Sequence, residues 1–224
     1  MCKSKLYLKN MKVVIQIVLW VVIVVLVYFN YKAIYGPVEF NKAKEKRYAQ
    51  VIKKMDKLRK AQLAYRDING KFTSSFDSLT RFIDTAEFTL TQRKDTSYLD
   101  QEYLKTYGVD KMVEDVVIDT LGTKKVKDSL FKNYDYSTLD IVPTTDGKKF
   151  TMESGFIEVN KNKVPVFEAK VNKSIVLDGL DPELIIQEKQ TVSVDGVNGA
   201  YIKVGSMDEV DTSGNWPITY GKQE

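Results

Sequence analysis

The longest apolar stretch of the chain, residues 13–29, reads VVIQIVLWVVIVVLVYF, and Gln16 is its one strongly polar residue. As a helix with about 1.5 Å rise per residue it spans roughly 25 Å, and its flanks bring it to the thickness of a bilayer core. Its many β-branched residues do not argue against a helix, because a lone strand in lipid would leave its backbone groups unpaired. We therefore predict a transmembrane helix over residues 13–31, with Tyr28, Tyr31 and Tyr35 in an aromatic belt at its C-terminal end.

The flanks of this segment bear on its topology. The same pattern suits a cleaved signal peptide, but the run is long for one and no small-x-small motif follows closely, which favours an uncleaved anchor. Residues 1–12 carry four lysines and no acidic residue, whereas Glu39 and Glu45 dilute the basic residues that follow the run. Positive charge favours the cytoplasmic side. We therefore expect a cytoplasmic basic tail over residues 1–12 and a periplasmic location for everything after the helix.

Beyond Gly36-Pro37 the apolar residues adopt a helical spacing. Proline is tolerated at a helix start and disfavoured inside a helix, so we predict a separate stalk helix over residues 37–69. Apolar spacings of three, four and seven are those of a coiled-coil seam. The stalk seam, which is the candidate partner contact, consists of Tyr48, Val51, Met55, Leu58 and Tyr65. Two interpretations remain open here: the helix packs on its own domain, or it pairs with a partner.

The stalk ends at a strong turn signal. Asn69-Gly70 fits the left-handed cap that ends many helices, and Thr73, Ser74 or Ser75 is a suitable N-cap for a next helix. A helix over residues 75–84 is predicted by an apolar stripe made of Phe76, Leu79, Phe82 and Ile83. We expect this corner to bury the aromatic end of the stalk in the domain.

The rest of the chain changes from a helical to a β pattern. We predict that residues 70–115 form a helical connector that belongs to the globular domain and includes a helix over residues 99–107. Residues 116–224 form a β-rich domain, with hairpins over residues 116–131, 150–167 and 191–205. A short helix begins at Asp181-Pro182. The predicted fold class is α+β: transmembrane helix, amphipathic stalk helix, then a mainly antiparallel β domain of five to seven strands with short helices.

The charge is distributed unevenly along the chain. Residues 1–66 carry a net charge of +12, and residues 67–224 carry −8, so the net charge of +4 hides a basic membrane-proximal part. A basic segment beside an apolar helix suits anionic lipid headgroups. Because no aromatic-rich nucleic-acid motif accompanies the charge, we expect no nucleic-acid partner.

The residue types restrict the chemistry. The chain has no histidine and one cysteine, Cys2, so intrachain disulfides, Cys/His metal sites and serine–histidine or cysteine–histidine catalysis are excluded within it. No phosphate-binding glycine loop is present, and the acidic DGLDPE segment lacks the oxygen spacing of a calcium loop. We therefore predict no catalytic residue, no cofactor, no metal site and no enzymatic activity.

Two resemblances concern the region around the corner. The segment AQLAYRDINGKFTSSFDSL resembles type IV pilins and type II pseudopilins, where a membrane helix leads into an amphipathic helix, a glycine turn and a short helix. The matching positions are Ala61, Ala64, Tyr65, Gly70, Phe72 and Leu79. No processing motif precedes the apolar run, and Gly36-Pro37 is expected to interrupt the helix. The wider segment over residues 36–79 resembles a family of single-pass membrane proteins of Bacteroidetes, which implies a cell-envelope location and no particular activity.

Together these patterns predict a non-enzymatic, inner-membrane-anchored periplasmic subunit of a cell-envelope assembly. The assembly would be a secretion, pilus-like or assembly-platform complex, and the subunit would act through protein–protein contacts along the stalk seam and at sheet edges. The expected partners are the lipid bilayer and other membrane or periplasmic proteins, including further copies of the chain. Two alternatives remain: a pilin-like filament subunit, and an envelope enzyme or ligand-binding domain on a membrane anchor.

Overall fold

In the computed structural model the chain is described over residues 2–132, 134–217 and 220, with side-chain environments from residue 14 onward. The fold is α+β: one long N-terminal helix is followed by two small antiparallel sheets and short helices. The helices are α1 Cys2–Asn69, α2 Phe76–Thr85, α3 Gln101–Tyr107, α4 Val126–Leu130, α5 Lys173–Val176 and α6 Pro182–Lys189. The strands are β1 Glu87–Leu99, β2 Met112–Lys125, β3 Thr151–Val159, β4 Asn162–Asn172 and β5 Tyr201–Gly205.

Helix α1 is unbroken over 68 residues, with Pro37 inside it. The predicted boundary between an anchor and a separate stalk over residues 37–69 is therefore wrong. A proline removes one backbone hydrogen bond, but each helical residue on either side adds one, and this cooperativity carries the helix through the local loss. At about 1.5 Å per residue the helix is roughly 100 Å long, so one rigid element joins the apolar run to the domain.

The distal half of α1 is the centre of the hydrophobic core. Tyr48, Val51, Met55 and Leu58 are fully buried, and the aromatic ring of Tyr65 lies 4.9 Å from that of Phe82 in α2. The chain's own domain thus covers the stalk seam, as in the interpretation that the helix packs on its own domain. The seam is not free for a partner helix. Burial of this stripe stabilises the domain because apolar area is removed from water.

The corner after α1 matches its prediction. The backbone N–H of Gly70 donates to the Arg66 carbonyl at 2.7 Å with a φ of +71°, and Ser75 caps α2 by accepting from the N–H of Ser78. Gln62, fully buried, adds a contact that the apolar pattern does not show. Its amide donates to the Thr73 carbonyl at 2.6 Å and accepts from the Thr73 N–H at 3.2 Å, which ties the turn to the helix.

Substituting valine for Gly70 is expected to lower the free energy of unfolding by about 1–2 kcal/mol, because a β-branched residue is strained at positive φ. A side chain here meets no atom within 4 Å, so the cost comes from the backbone alone. Urea unfolding of the full chain in non-ionic detergent measures it. Asparagine tolerates this conformation, so Gly70→Asn serves as the control and should cost clearly less. Equal stability of wild type and both variants would show that the corner is misassigned.

The three-stranded sheet, in the order β3-β4-β5, packs on the distal half of α1. The predicted hairpin over residues 150–167 is confirmed, since β3 pairs with β4 around a tight turn at Asn160 and Lys161, both with positive φ. Pro165 is tolerated because β5 pairs only with the far end of β4, from Glu168 to Asn172. The short helix after Asp181 is confirmed as α6, which Asp181 caps.

The two other predicted hairpins are wrong. Residues 126–130 form α4 instead of a returning strand, and of residues 191–205 only Tyr201–Gly205 is a strand. The first error has a clear cause. Gly122 marks a bulge within β2, not a turn: opposite Leu90 and Thr91 the register skips Leu121. The five strands among the described residues form two separate sheets.

The connector over residues 70–115 is helical only in part. The predicted helix is confirmed as α3, and Gly108, in the left-handed conformation, caps it. Residues 87–99, however, form β1, which pairs with β2 across an interval that holds α3. These elements, residues 87–125, make one projecting unit, called the arm below.

Candidate membrane and protein interaction surfaces

The apolar run of α1 is exposed along its whole length. Side chains from Val14 to Phe29 have 41–63% of their area exposed where they are large and hydrophobic, and none of the apolar window is buried. An 18-residue window of α1 has a mean hydropathy of 2.4, so α1 is the one helix among the described residues that is long and apolar enough to cross a membrane. A candidate membrane-spanning helix near the N-terminus fits a single-pass membrane protein.

The globular part begins close to the end of this run. Phe40 is the first α1 residue buried in the core, eleven positions after Phe29, which is about 16 Å along the helix. Between them the rings of Tyr31 and Tyr35 stack with centroids 4.3 Å apart and remain exposed. Stacked tyrosines at the end of an apolar helix suit the membrane–water interface.

An open groove of about 580 Å³ lies at this end of the domain, between α1 and the loop before α6. Phe40 and Leu180 give it an apolar floor, and its charged residues are Glu39, Lys42, Lys46 and Asp181. Two lysines and two acidic residues balance, so the groove offers no net charge that would select an ionic ligand.

A buried polar network fixes α1 to α5 and α6. Lys173 is fully buried, and its Nζ donates to the carbonyls of Glu188 and Val197 at 2.7 and 2.8 Å. The same ammonium lies 3.2 Å from Oε1 of Glu188. From α1, the hydroxyl of Tyr48 donates to Oε1 of Glu188 at 3.3 Å, and Nζ of Lys44 lies 2.9 Å from Oε2. The Glu188 carboxylate of α6 thus satisfies groups from two other helices, α1 and α5.

Arg47 strengthens the same junction, because its guanidinium donates to the carbonyls of Val176 and Asp178 at 2.9 and 2.8 Å. Burial lowers the pKa of Lys173, although the Glu188 carboxylate opposes the shift. An amine without exposed surface and with three acceptors has no room for a substrate. The network therefore holds α1 against α5 and α6, and no periodicity in the sequence distinguishes Lys173 from the other lysines.

Tyr48 gives this junction a pH dependence. Burial raises the pKa of its hydroxyl well above the ordinary value of 10.0, and the Glu188 carboxylate adds to the rise. The protonated hydroxyl of Tyr48 contributes its full stabilisation to the folded state below about pH 10, and this contribution is lost as the pH rises further. The stability advantage of wild type over Tyr48→Phe should therefore shrink between about pH 9 and pH 11, by up to about 1.4 kcal/mol per unit. Urea titrations of both proteins at each pH test this; a constant difference would contradict it.

The arm is the other unusual surface. From Thr89 to Leu121 no residue is buried, so the arm contacts the body only at its root, where Phe88 packs on the core. At about 3.3 Å per residue the strands reach roughly 40 Å. Its exposed large apolar residues are Leu90, Tyr98, Tyr107, Val109, Met112, Val116, Val117, Ile118 and Leu121.

The two edges of the arm differ. No third strand pairs with either of them in the part of the chain that the structure describes. The middle of β1 carries Arg93 and Lys94, charged residues of the kind that guard an edge strand, whereas β2 exposes Val116-Val117-Ile118 in succession. A two-stranded ribbon is only marginally stable alone in water, so an apolar edge of this length favours strand addition.

Comparisons with protein-family models, with curated proteins and with solved structures give no match. The functional interpretation therefore depends on the surfaces described above.

Proposed function

We propose that the protein is a non-enzymatic, inner-membrane-anchored periplasmic subunit of a cell-envelope assembly and acts through protein–protein contacts. The proposal rests on one observation: the same chain has both an exposed apolar helix and an exposed apolar arm. Neither surface has a partner within the described residues, and each has the composition of an interface, one with lipid and one with protein.

The junction between α1 and the domain supports a tethering role. A flexible linker would leave the domain free to tumble above the bilayer, but here one helix runs from the apolar run into the core, and Lys44, Arg47 and Tyr48 fasten it. The domain is thereby held at a fixed height and orientation above the membrane. A fixed orientation lowers the entropic cost of presenting the arm to a partner in the same membrane.

The proposal is tested by reporter fusions followed by cross-linking in native membranes. A C-terminal reporter active only in the periplasm is the expected result, and activity only in the cytoplasm would reverse the proposed topology. Cross-linking should capture the full chain in a complex that an arm deletion, residues 89–121 replaced by a short glycine linker, no longer forms. Recovery of a monomer alone, both by cross-linking and after mild-detergent purification, would overturn the proposal.

A pilin-like filament subunit is a second candidate, favoured by the continuity of α1 through Pro37. A continuous helix that begins in the membrane and ends in a globular domain is the arrangement implied by the resemblance at Ala61–Leu79. A filament subunit would be processed ahead of the apolar run. N-terminal sequencing of the protein from membranes decides between the two: an intact N-terminal tail rejects the filament subunit, and a cleaved one supports it.

A further inference from the structure

We propose that the arm's partner is a second copy of this chain and that the two β2 strands pair antiparallel through their free edges. This inference rests on the proposed function and names the partner. The result would be a four-stranded sheet in the order β1-β2-β2-β1, with each arm tip directed toward the body of the other copy. Such an isologous contact closes on itself as a dimer.

The charges of β2 support self-pairing. Its tip-proximal half carries Glu114 and Asp115, Asp119 lies at its middle, and its root ends in Lys124 and Lys125. Antiparallel pairing of two identical strands of this kind places the acidic half of each opposite the basic end of the other. Opposite charges directly across a strand pair stabilise it, and like charges destabilise it.

The bulge fixes which register achieves this. If Leu121 is skipped, as it is in the pairing with β1, Glu114 faces Lys125 and Asp115 faces Lys124 of the second copy. Val116 then faces Thr123, and Val117 faces Gly122, where no side chain obstructs it. Asp119 meets its own counterpart at the two-fold axis, so the register contains four opposite-charge pairs and one like-charge pair.

The edge of β1 is a poorer surface for a second copy. Its central residues are Arg93, Lys94 and Asp95, and Arg93 already pairs with Asp95 within the strand at 3.4 Å. The β2 edge instead presents the uncharged, branched residues Val116 to Ile118 between its charged ends. Branched apolar residues flanked by complementary charges favour pairing in one register.

Charge exchange on the full chain in non-ionic detergent tests the proposal, with sedimentation measuring the dimer. E114K/D115K and K124E/K125E should each weaken self-association roughly tenfold or more, because each replaces four attractive pairs by repulsive ones. An equimolar mixture of the two variants should recover dimers, since one carries only bases and the other only acids at these positions. D119N should strengthen association. All these positions are exposed, so unfolding midpoints should change little.

Cysteine pairs test the register. With Cys2 replaced by serine, V116C/T123C should give a disulfide-linked dimer, and V116C/K125C, whose cysteines do not face each other in this register, should give far less. The proposal is overturned if the charge variants associate as wild type does, or if their mixture fails to recover dimers. If membranes still yield an arm-dependent complex with a different protein while these variants behave as wild type, self-pairing is rejected and the proposed function stands.

Discussion

Replacing Glu188 by leucine is expected to lower the free energy of unfolding by about 3–5 kcal/mol, because it leaves a fully buried ammonium without a counter-charge. Lys173 would keep two carbonyl acceptors, but no carboxylate would offset the loss of hydration of its charge. Lys44 and Tyr48 would lose their partner in the same step, so α1 would separate more easily from α6. Urea unfolding of the full chain in non-ionic detergent measures the effect.

A matched control is available on the surface of the sheet. Glu153 forms a comparable ion pair with Lys170 at 3.3 Å, but half of its side chain is exposed, so Glu153→Leu should cost no more than about 1 kcal/mol. In the double variant Lys173→Met/Glu188→Leu the buried charge disappears with its partner, and part of the lost stability should return. Equal losses for Glu188→Leu and Glu153→Leu, or a double variant as unstable as Glu188→Leu alone, would show that the network carries little energy.

Local signals in the sequence predicted the elements that local physics decides. The caps at Gly70 and Asp181, and Ser75 among its three candidates, each depend on a side chain or a backbone conformation within a few residues, and all occur where the pattern indicated. The class α+β follows from the same signals. The composition and length of the apolar run predict that it spans a membrane. In the structure the run is exposed, as a membrane span requires.

Apart from the helix boundary at Pro37, the errors concern how distant residues pair and pack. The pairing of β1 with β2 spans α3, so residues 87–99 become a strand through a partner that lies beyond the intervening helix. Gly122 looked like a turn because a glycine in a strand and a glycine in a hairpin have the same local signature. Lys173 and Glu188 lie on separate helices, and nothing in the hydrophobic pattern marks two charged residues that will be buried together.

The stalk seam also shows how far packing partners can be predicted from the sequence. A stripe of apolar residues at helical spacing predicts that something covers it, but not whether the cover is the chain's own domain or a partner. The structure covers Tyr48, Val51, Met55 and Leu58 with the β3-β4-β5 sheet and the short helices. The arm, whose sequence has no such stripe, remains uncovered, so the surface available for partners is a sheet edge and not the helix.

Replacing Leu58 by alanine is therefore expected to destabilise the domain itself, by about 2–5 kcal/mol, because it leaves a cavity at a fully buried position. Alanine is the best helix former, so the loss cannot come from helix propensity and must come from packing. Lys53, an exposed residue of the same helix, gives the control: Lys53→Ala should change stability by less than about 0.5 kcal/mol.

Protein concentration then separates a core position from an interface position. If Leu58 packed against a partner helix, the stability difference between wild type and Leu58→Ala would grow with protein concentration, because binding stabilises by mass action. For a residue buried in its own domain, the difference should be the same in detergent at low concentration and after a hundredfold increase. Any association through the arm stabilises wild type and Leu58→Ala equally, so it does not change the stability difference between them. A variant that unfolds like wild type but no longer self-associates would place the seam at an interface and return the partner contact to α1.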